Sequence, residues 1–324
     1  MSELKVADLL PDLGPSALTV AGDLMLDVFV EGVVERMSPE APVPILAEQT
    51  SVCTPGGAAN AALRARDLGS DVSLFGRLGK DDAAKEVLDS LAAAAVKTQG
   101  VYRDPQITTT RKTRFLSAGR QLLRVDKEER RPASAPEITF YREGIASAPV
   151  AILVSDYGKG VVSDELLELV RARAGEVSGF FVVDPAAGID PGRYRGAALI
   201  TPNRRECELI AGTQIVDAAS AKLAALAYSG AAGDAPVLVT LGAEGALLIA
   251  PGRSGSQGHV FFAAYRQDVF DVTGAGDATA AAIARGLSGG LDLSSSCRLG
   301  MAAGAVAVSR PHTTAISLAE LADL

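Results

Sequence analysis

DVTGAGDATAAAIARGL, residues 271–287, carries an extended apolar approach into a glycine-rich turn and then into an alanine-rich helical pattern. Gly274 and Gly276 permit backbone conformations that a Cβ penalises, so the N–H groups of Gly274, Ala275, Gly276 and Asp277 can converge on one point at the helix start. An anion belongs at such a point. Asp277 in that first turn stabilises a helix as a charge, and beside an anion hole its carboxylate can also accept a hydroxyl proton. The turn alone leaves both roles open.

Upstream of this turn, strand and helix patterns alternate. ALTVA (17–21) reads as the first buried strand. AILVSDYGKG, GFFVVDPAA, AALITPNRRE and PVLVTLGAEG are apolar runs ending in turn chemistry, separated mostly by helical patterns such as SDELLELVRARAG and AASAKLAALAYSG. That is a parallel βαβ series, which predicts an α/β fold with a mostly parallel sheet. Residues 4–13 read as a short amphipathic helix. PGGAANAALRARDLG (55–69) is a second glycine-rich helix start with Asn60 in its first turns, followed by a strand at DVSLFGRLG and an acid-capped helix at 81–96. GALLIA and HVFFAAYR form a last strand pair, and 297–309 a further apolar helix. Residues 28–54 are strand-like with interruptions; the three prolines of SPEAPVPIL forbid a helix or a central strand there and predict an exposed edge or flap. ITTTRKTRFL and RQLLRVDKEE flank Ser117-Ala118-Gly119 and read as a β-hairpin with a basic face.

Composition narrows the function classes. The 324 residues, 48% of them hydrophobic, suffice for one large α/β domain or two small ones. A formal charge of −8 argues against nucleic acid or an anionic membrane as the main partner. No apolar run reaches spanning length, and MSELKVADLL lacks a basic stretch followed by an apolar core, so a cytoplasmic protein is expected. Cys53, Cys207 and Cys297 are scattered without metal-ligand spacing, and the two histidines, His259 and His312, sit in no motif. Histidine catalysis and a protein-built zinc site are therefore not expected.

Ligands of open parallel sheets bind at the carboxyl ends of the strands. The residues that follow the apolar runs there are Asp23 and Asp27, Asp156 and Lys159, Asp184, Asn203 and Glu206, Thr240 with Gly242 and Gly245, and the turn at 274–277. Carboxylates and asparagine hold Mg²⁺ waters and sugar hydroxyls, while backbone N–H groups hold phosphate oxygens, so this inventory suits a metal-bound polyphosphate and a polyhydroxylated substrate. Asparagine occurs only at 60 and 203, each at one of these turns. GRLGKDD lacks the spacing of a Walker A loop, and no dinucleotide fingerprint follows the first strand.

GGAAN (56–60), TPNRRE (201–206), VTLGAEG (239–245) and DVTGAGD (271–277) resemble the signatures of the ribokinase-like carbohydrate kinase family, in its order and spacing over nearly the whole chain. Within it, GDLMLDVF, RMSPEAPVPIL, TTTRKTRFLSAGRQLLRVDKEE, LVSDYGKGVV and RYRGAALITPN resemble the bacterial heptose 7-phosphate kinases, which phosphorylate the anomeric C1 hydroxyl of D-glycero-β-D-manno-heptose 7-phosphate.

The resemblance implies a single sugar-kinase domain over 1–324, a three-layer α/β/α fold with a mostly parallel central sheet, and a small β-lid formed by about 28–54 and 107–126. It implies ATP and Mg²⁺, with K⁺ as a further candidate ion. Asp277 would be the base and Gly274, Ala275 and Gly276 the anion hole. Asn203, Arg204, Arg205, Glu206, Thr240, Gly242 and Gly245 would border ATP, with Asn203 and Glu206 near the metal through water and phosphate. Asp27, Gly56, Gly57 and Asn60 would bind sugar, joined by Lys112, Arg120, Gln121, Arg124, Asp156 and Lys159. A homodimer through the lid is implied, as is a stand-alone kinase whose product passes to a separate nucleotidyltransferase, because no HxGH-type motif is present. Ala278 stands where the family frequently has Thr, and Met37 where Ile is expected; neither removes a catalytic group. A ribokinase-like kinase for another sugar or sugar phosphate, and a catalytically silent sugar-phosphate or nucleotide sensor, are the competing readings.

Overall fold

The computed structural model describes residues 5–176, 178–250 and 258–324. Runs of β-branched and aliphatic residues buried on both faces become a parallel sheet, because helices cover each side. Its parallel strands are β1 (Ala17–Gly22), β4 (Asp71–Leu78), β5 (Lys97–Arg103), β8 (Ala151–Ser155), β9 (Phe180–Asp184), β10 (Leu199–Ile200) and β11 (Val237–Thr240). Two antiparallel strands, β12 (Ala246–Ala250) and β13 (Gly258–Phe262), close one edge. The order is β13-β12-β11-β10-β9-β8-β1-β4-β5. Order reverses at β1, so the crevice at its carboxyl end is where such a sheet takes ligands.

Alternation along the strands assigns the helices to layers. Ile152 and Val154 of β8 join the core formed with α3 (Ala135–Ile145), α4 (Asp164–Ala174), α5 (Arg204–Ala211) and α6 (Ala218–Ala231). Ala151 and Leu153 face the opposite core, against α1 (Ala58–Asp67), α2 (Asp82–Ala93), α7 (Ala275–Ser288) and α8 (Leu293–Val308). The expected three-layer α/β/α arrangement is the one observed. A third cluster ties α7 and α8 to α9 (Leu318–Ala322).

A four-stranded second sheet stands off this body, ordered β3-β2-β6-β7. β2 (Leu24–Met37) leaves β1 through Asp23, pairs antiparallel with β3 (Pro44–Gly57) and parallel with β6 (Thr110–Ser117), and β6 pairs antiparallel with β7 (Arg120–Lys127). Pro44 opens β3, an edge strand, as its missing N–H requires. β3 ends in Gly56-Gly57 and passes directly into α1.

The expected helix at 4–13 is corrected. Leu4 lies outside the described residues, and the rest forms two 3₁₀ turns, Val6–Asp8 and Leu10–Asp12. Pro11 at the start of the second turn has no N–H to continue an α-helical ladder from the first. β5 and α3 add to the expected elements.

Candidate active site

The helix start at Gly274 is built as its glycine demands. Gly274 sits at φ +78°, and a Cβ there would stand 2.6 Å from Asn60 Nδ2 and 2.8 Å from Thr313 Cγ2. Ala275 N–H reaches the Val272 carbonyl only at 3.4 Å, and the Gly276 and Asp277 N–H groups precede the first intrahelical bond, Ala278 N–H to the Gly274 carbonyl at 3.0 Å, so α7 opens with donors that an anion could take.

Asp277, three residues beyond Gly274 on α7, is buried and held from two sides. Asn60 Nδ2 on α1 donates to its Oδ2 at 2.8 Å, and the Tyr157 hydroxyl, from the turn after β8, donates to its Oδ1 at 2.9 Å. Burial pushes the carboxyl up to about 6, while these two hydrogen bonds and Arg64 pull it down. The Asn60 Oδ1 atom is buried with no hydrogen-bond partner among the described residues. A buried acceptor left unmade costs about 1–3 kcal/mol, so it is suited to a ligand hydroxyl.

Beside Asp277 lies a cavity of about 410 Å³ lined by Asp156, Asp184, Asn203, Glu206, Thr240 and Gly276 among others. Burial, then the neighbouring Asp277 and Glu206 charges, hold the Asp184 carboxyl well above the usual range. Burial also raises Glu206 and Asp156, each to about 6. Asn203 and Glu206 form a capping box on α5: Asn203 Oδ1 accepts from Glu206 N at 3.0 Å, and Glu206 Oε2 from Asn203 N at 2.8 Å. Helix capping alone therefore accounts for the spacing of this pair, but not for its place on the cavity wall.

No group of three His, Cys, Asp or Glu among the described residues is arranged to hold a metal by itself. Mg²⁺ keeps several waters and usually takes one or two carboxylates plus substrate phosphates. A cavity whose acids repel one another at Asp184 and Glu206 fits that ion, bound together with a nucleotide. Thr240 lines the same wall, and Gly245 closes the turn after β11 at φ +104°, where a Cβ would strike the Phe262 carbonyl at 2.0 Å. Gly242 lies in this turn at φ +63°. Arg204 is engaged with Glu244 at 2.5 Å, and Arg205 is exposed on α5.

The sugar-side residues converge only in part. Asp27 on β2 pairs with Arg114 on β6 at 2.5 Å, and its Oδ2 lies where a Gly56 Cβ would come within 2.2 Å. Lys112 Nζ lies 5.5 Å over the Tyr157 ring, its ammonium form disfavoured by burial. Lys159 bonds Glu128, and Arg124 makes a two-pronged pair with Asp126 at 2.8 and 3.0 Å. Arg120 and Gln121 lie exposed at the hairpin turn, opposite Ser117 and Leu116, and do not line the cavity. Asp156 spends its oxygens on Gly158 N–H and the Tyr194 hydroxyl, and Asp23 on the N–H groups of Tyr157, Lys159 and Val161. Both acids shape the turn after β8.

Sequence reasoning passed over Tyr157 and the support beneath it. Arg77 on β4 pairs with Glu137 on α3 at 3.0 Å and donates to the Arg131 carbonyl at 2.7 Å, and the Tyr141 hydroxyl donates to Glu137 at 2.9 Å. Arg131 N in turn donates to the Lys159 carbonyl at 3.2 Å. These residues belong to no spacing pattern; only the alternation of a charged residue in an apolar strand, as at Arg77, marked one of them.

A helix start with open N–H groups, a buried carboxylate beside it and an acid-lined cavity at the strand ends are the arrangement that phosphoryl transfer on an α/β sheet requires. The same fold is seen in Arabidopsis thaliana ribokinase complexed with ribose and ATP, at TM-score 0.75 and 19% identity over 96% of this chain and 99% of that one. Escherichia coli phosphofructokinase-2 in complex with potassium matches at TM-score 0.75 and 20% identity, over 95% of this chain and 97% of that one. Residues 17–320 match the pfkB family carbohydrate kinase description. The chain belongs to the pfkB family of carbohydrate kinases. Among its relatives, the bifunctional protein HldE of Geobacter metallireducens is 39% identical over 93% of this chain and 61% of its own length. That of Azorhizobium caulinodans is 39% identical over 94% of this chain and 63% of its own. The chain thus spans less than two thirds of these curated relatives.

Proposed function

We propose that the protein transfers the γ-phosphoryl group of ATP to the anomeric C1 hydroxyl of D-glycero-β-D-manno-heptose 7-phosphate, giving the 1,7-bisphosphate. The observation that carries the chemistry is Asp277, buried and held between Asn60 and Tyr157 at the start of an anion-binding helix. The sugar assignment rests on the resemblance of the motifs in β2, β6, β7 and the turn after β8 to heptose 7-phosphate kinases.

In this reading the acceptor oxygen attacks the γ-phosphorus, the bond from that phosphorus to the bridging oxygen breaks, and ADP departs with the electron pair. Asp277 takes the hydroxyl proton. The first-turn N–H groups of α7 stabilise charge on the transferred phosphoryl oxygens. Mg²⁺, when bound, would neutralise polyphosphate charge, and Asn203 and Glu206 are the side chains that would hold it. Asn60 Oδ1, Asp27 and the glycine turn at 56–57 face the sugar hydroxyls.

Lys112, Arg114, Arg124 and Lys159 would meet the distal phosphate. Asp27, Asp126 and Glu128 neutralise much of this set within the chain, leaving four cations against three acids. One net charge still favours a phosphorylated acceptor. The test is a turnover screen across heptose, hexose and pentose phosphates and the free sugars, with product regiochemistry by phosphorus NMR. Best efficiency on heptose 7-phosphate with phosphate appearing at C1 is expected; better efficiency on a different acceptor overturns the sugar assignment and keeps the kinase. We also propose that two copies pair through the small sheet.

A further inference from the structure

Tyr157 is clamped from three directions. Its backbone N–H is fixed by Asp23 Oδ2 at 2.9 Å, Lys112 of β6 stands 5.5 Å over its ring, and a Cβ on Gly57 would come within 3.5 Å of its Cδ2. The hydroxyl that results from this clamping points at one atom, Oδ1 of Asp277. We propose that Tyr157 is a positioning residue for the transfer base: its hydroxyl fixes the Asp277 carboxylate against the pull of Asn60 and keeps it an ionised acceptor in a buried site. The inference rests on the reading of Asp277 given under the proposed function.

Two physical arguments support it. A carboxylate that accepts only from Asn60 is free to rotate about its last torsion, whereas donors on both oxygens leave one orientation and still one lone pair on each oxygen for an acceptor hydroxyl. Hydrogen bonds to the charged form also oppose the desolvation that favours protonation. The phenol remains a donor throughout the working range, because burial and the Asp277 charge push its own ionisation well up.

The other groups facing Asp277 do not replace it. α1 supplies Asn60 and, further off, Arg64, whose guanidinium is engaged with Asp67 at 3.3 Å and with the Thr314 carbonyl. Asp27 from β2 favours protonation of Asp277, and Asp184 from β9 is itself held toward its neutral form by burial and the Asp277 charge. α8 approaches α7 through Gly300 and Gly304, which carry no charge. Tyr157 is thus a donor to Asp277 that shares no helix with it and can be removed as a single atom.

Tyr157→Phe makes that deletion while keeping the ring under Lys112 and the backbone bond to Asp23. The acid limb of the kcat/KM profile is expected to move up by about one pH unit, with kcat at pH 7 falling about 10-fold, part of that loss recovered at pH 8.5, and KM for the acceptor little changed. A loss independent of pH, or a limb that coincides with the wild type, overturns the proposal. A second measurement needs no turnover: the Asp277 carboxyl is titrated by ¹³C NMR in aspartate-labelled protein, its signal assigned by its disappearance in Asp277→Asn. An unchanged midpoint in Tyr157→Phe also overturns the inference. Absence of turnover in the wild type on every sugar phosphate would instead remove the functional reading, leaving the carboxyl titration to decide the role of Tyr157.

Discussion

At Asp277 the structure changes the energetic question. The residue is 3% exposed, so it is not a favourable surface charge at a helix start but an acid whose ionised form the protein tolerates at a cost. Its folded value, about 6, lies above the ordinary 3.8. About two units correspond to roughly 3 kcal/mol of destabilisation once the pH exceeds 6, an amount that disappears as the pH falls from 6 toward 4 and the group protonates. Asp277→Asn is therefore expected to melt at or above the wild type at pH 8, with the gap narrowing toward pH 5, while kcat drops roughly 10²–10⁴-fold. Calorimetry at the two pH values and steady-state kinetics check both halves; near-normal kcat returns Asp277 to a structural role. For the same reason wild-type kcat/KM should fall as the pH drops through about 6, since only the ionised carboxylate accepts a proton. A limb near 4 contradicts the burial argument. The glycine turn made this residue legible in the sequence. Tyr157, whose turn was legible but whose hydroxyl acts across 120 positions, was not.

Among the elements, α5 separates two roles that one motif combines. Its capping box needs a side-chain acceptor at 203 and a second at 206, and Gln supplies the latter as well as Glu. Glu206→Gln is expected to leave the melting temperature within a degree or two and to raise KM for Mg·ATP, whereas Asn203→Ala should cost about 1 kcal/mol of stability in addition. Equal nucleotide kinetics in Glu206→Gln would assign the pair to capping alone. The Arg77–Glu137 pair between β4 and α3 is of another kind, with side chains 4% and 0% exposed. Removing either partner strands a buried charge and is expected to cost about 3–5 kcal/mol, while Arg77→Met with Glu137→Leu should cost much less than the sum. Denaturant melts of the four proteins close the cycle; additive losses would mean that the two charges do not share their penalty. Strands buried on both faces, such as β8 and β9, were readable as apolar runs. β5 was not, because it is an edge strand with Gly100 at its centre and mixed burial.

The whole molecule shows where periodicity stops being informative. Each strand of the small sheet has a local pattern, yet the sheet exists because 24–57 pairs with 110–127, and the Asp27–Arg114 contact that joins them spans 87 residues. No window of sequence contains that pairing, and only the family resemblance brought the two segments together. The finished sheet also leaves β7 as an open edge. All eight residues of β7 are exposed, with Leu122, Leu123 and Val125 at 46%, 57% and 48%, and Val52 on the opposite edge strand at 42%. An open edge with apolar side chains on both faces is a template for association unless charge or another chain covers it. Arg120, Arg124 and Lys127 supply some charge, but adjacent Leu122 and Leu123 point to opposite faces, so one cannot be buried by the turn of the other. A second copy of the sheet stacked on the face that carries Leu123 would cover that side chain. Sedimentation velocity is expected to show a dimer at micromolar concentration, and Leu123→Asp should shift it toward monomer without changing KM for ATP. A wild type that stays monomeric at all concentrations removes the pairing, and the exposed leucines would then be expected to cover the acceptor rather than a partner.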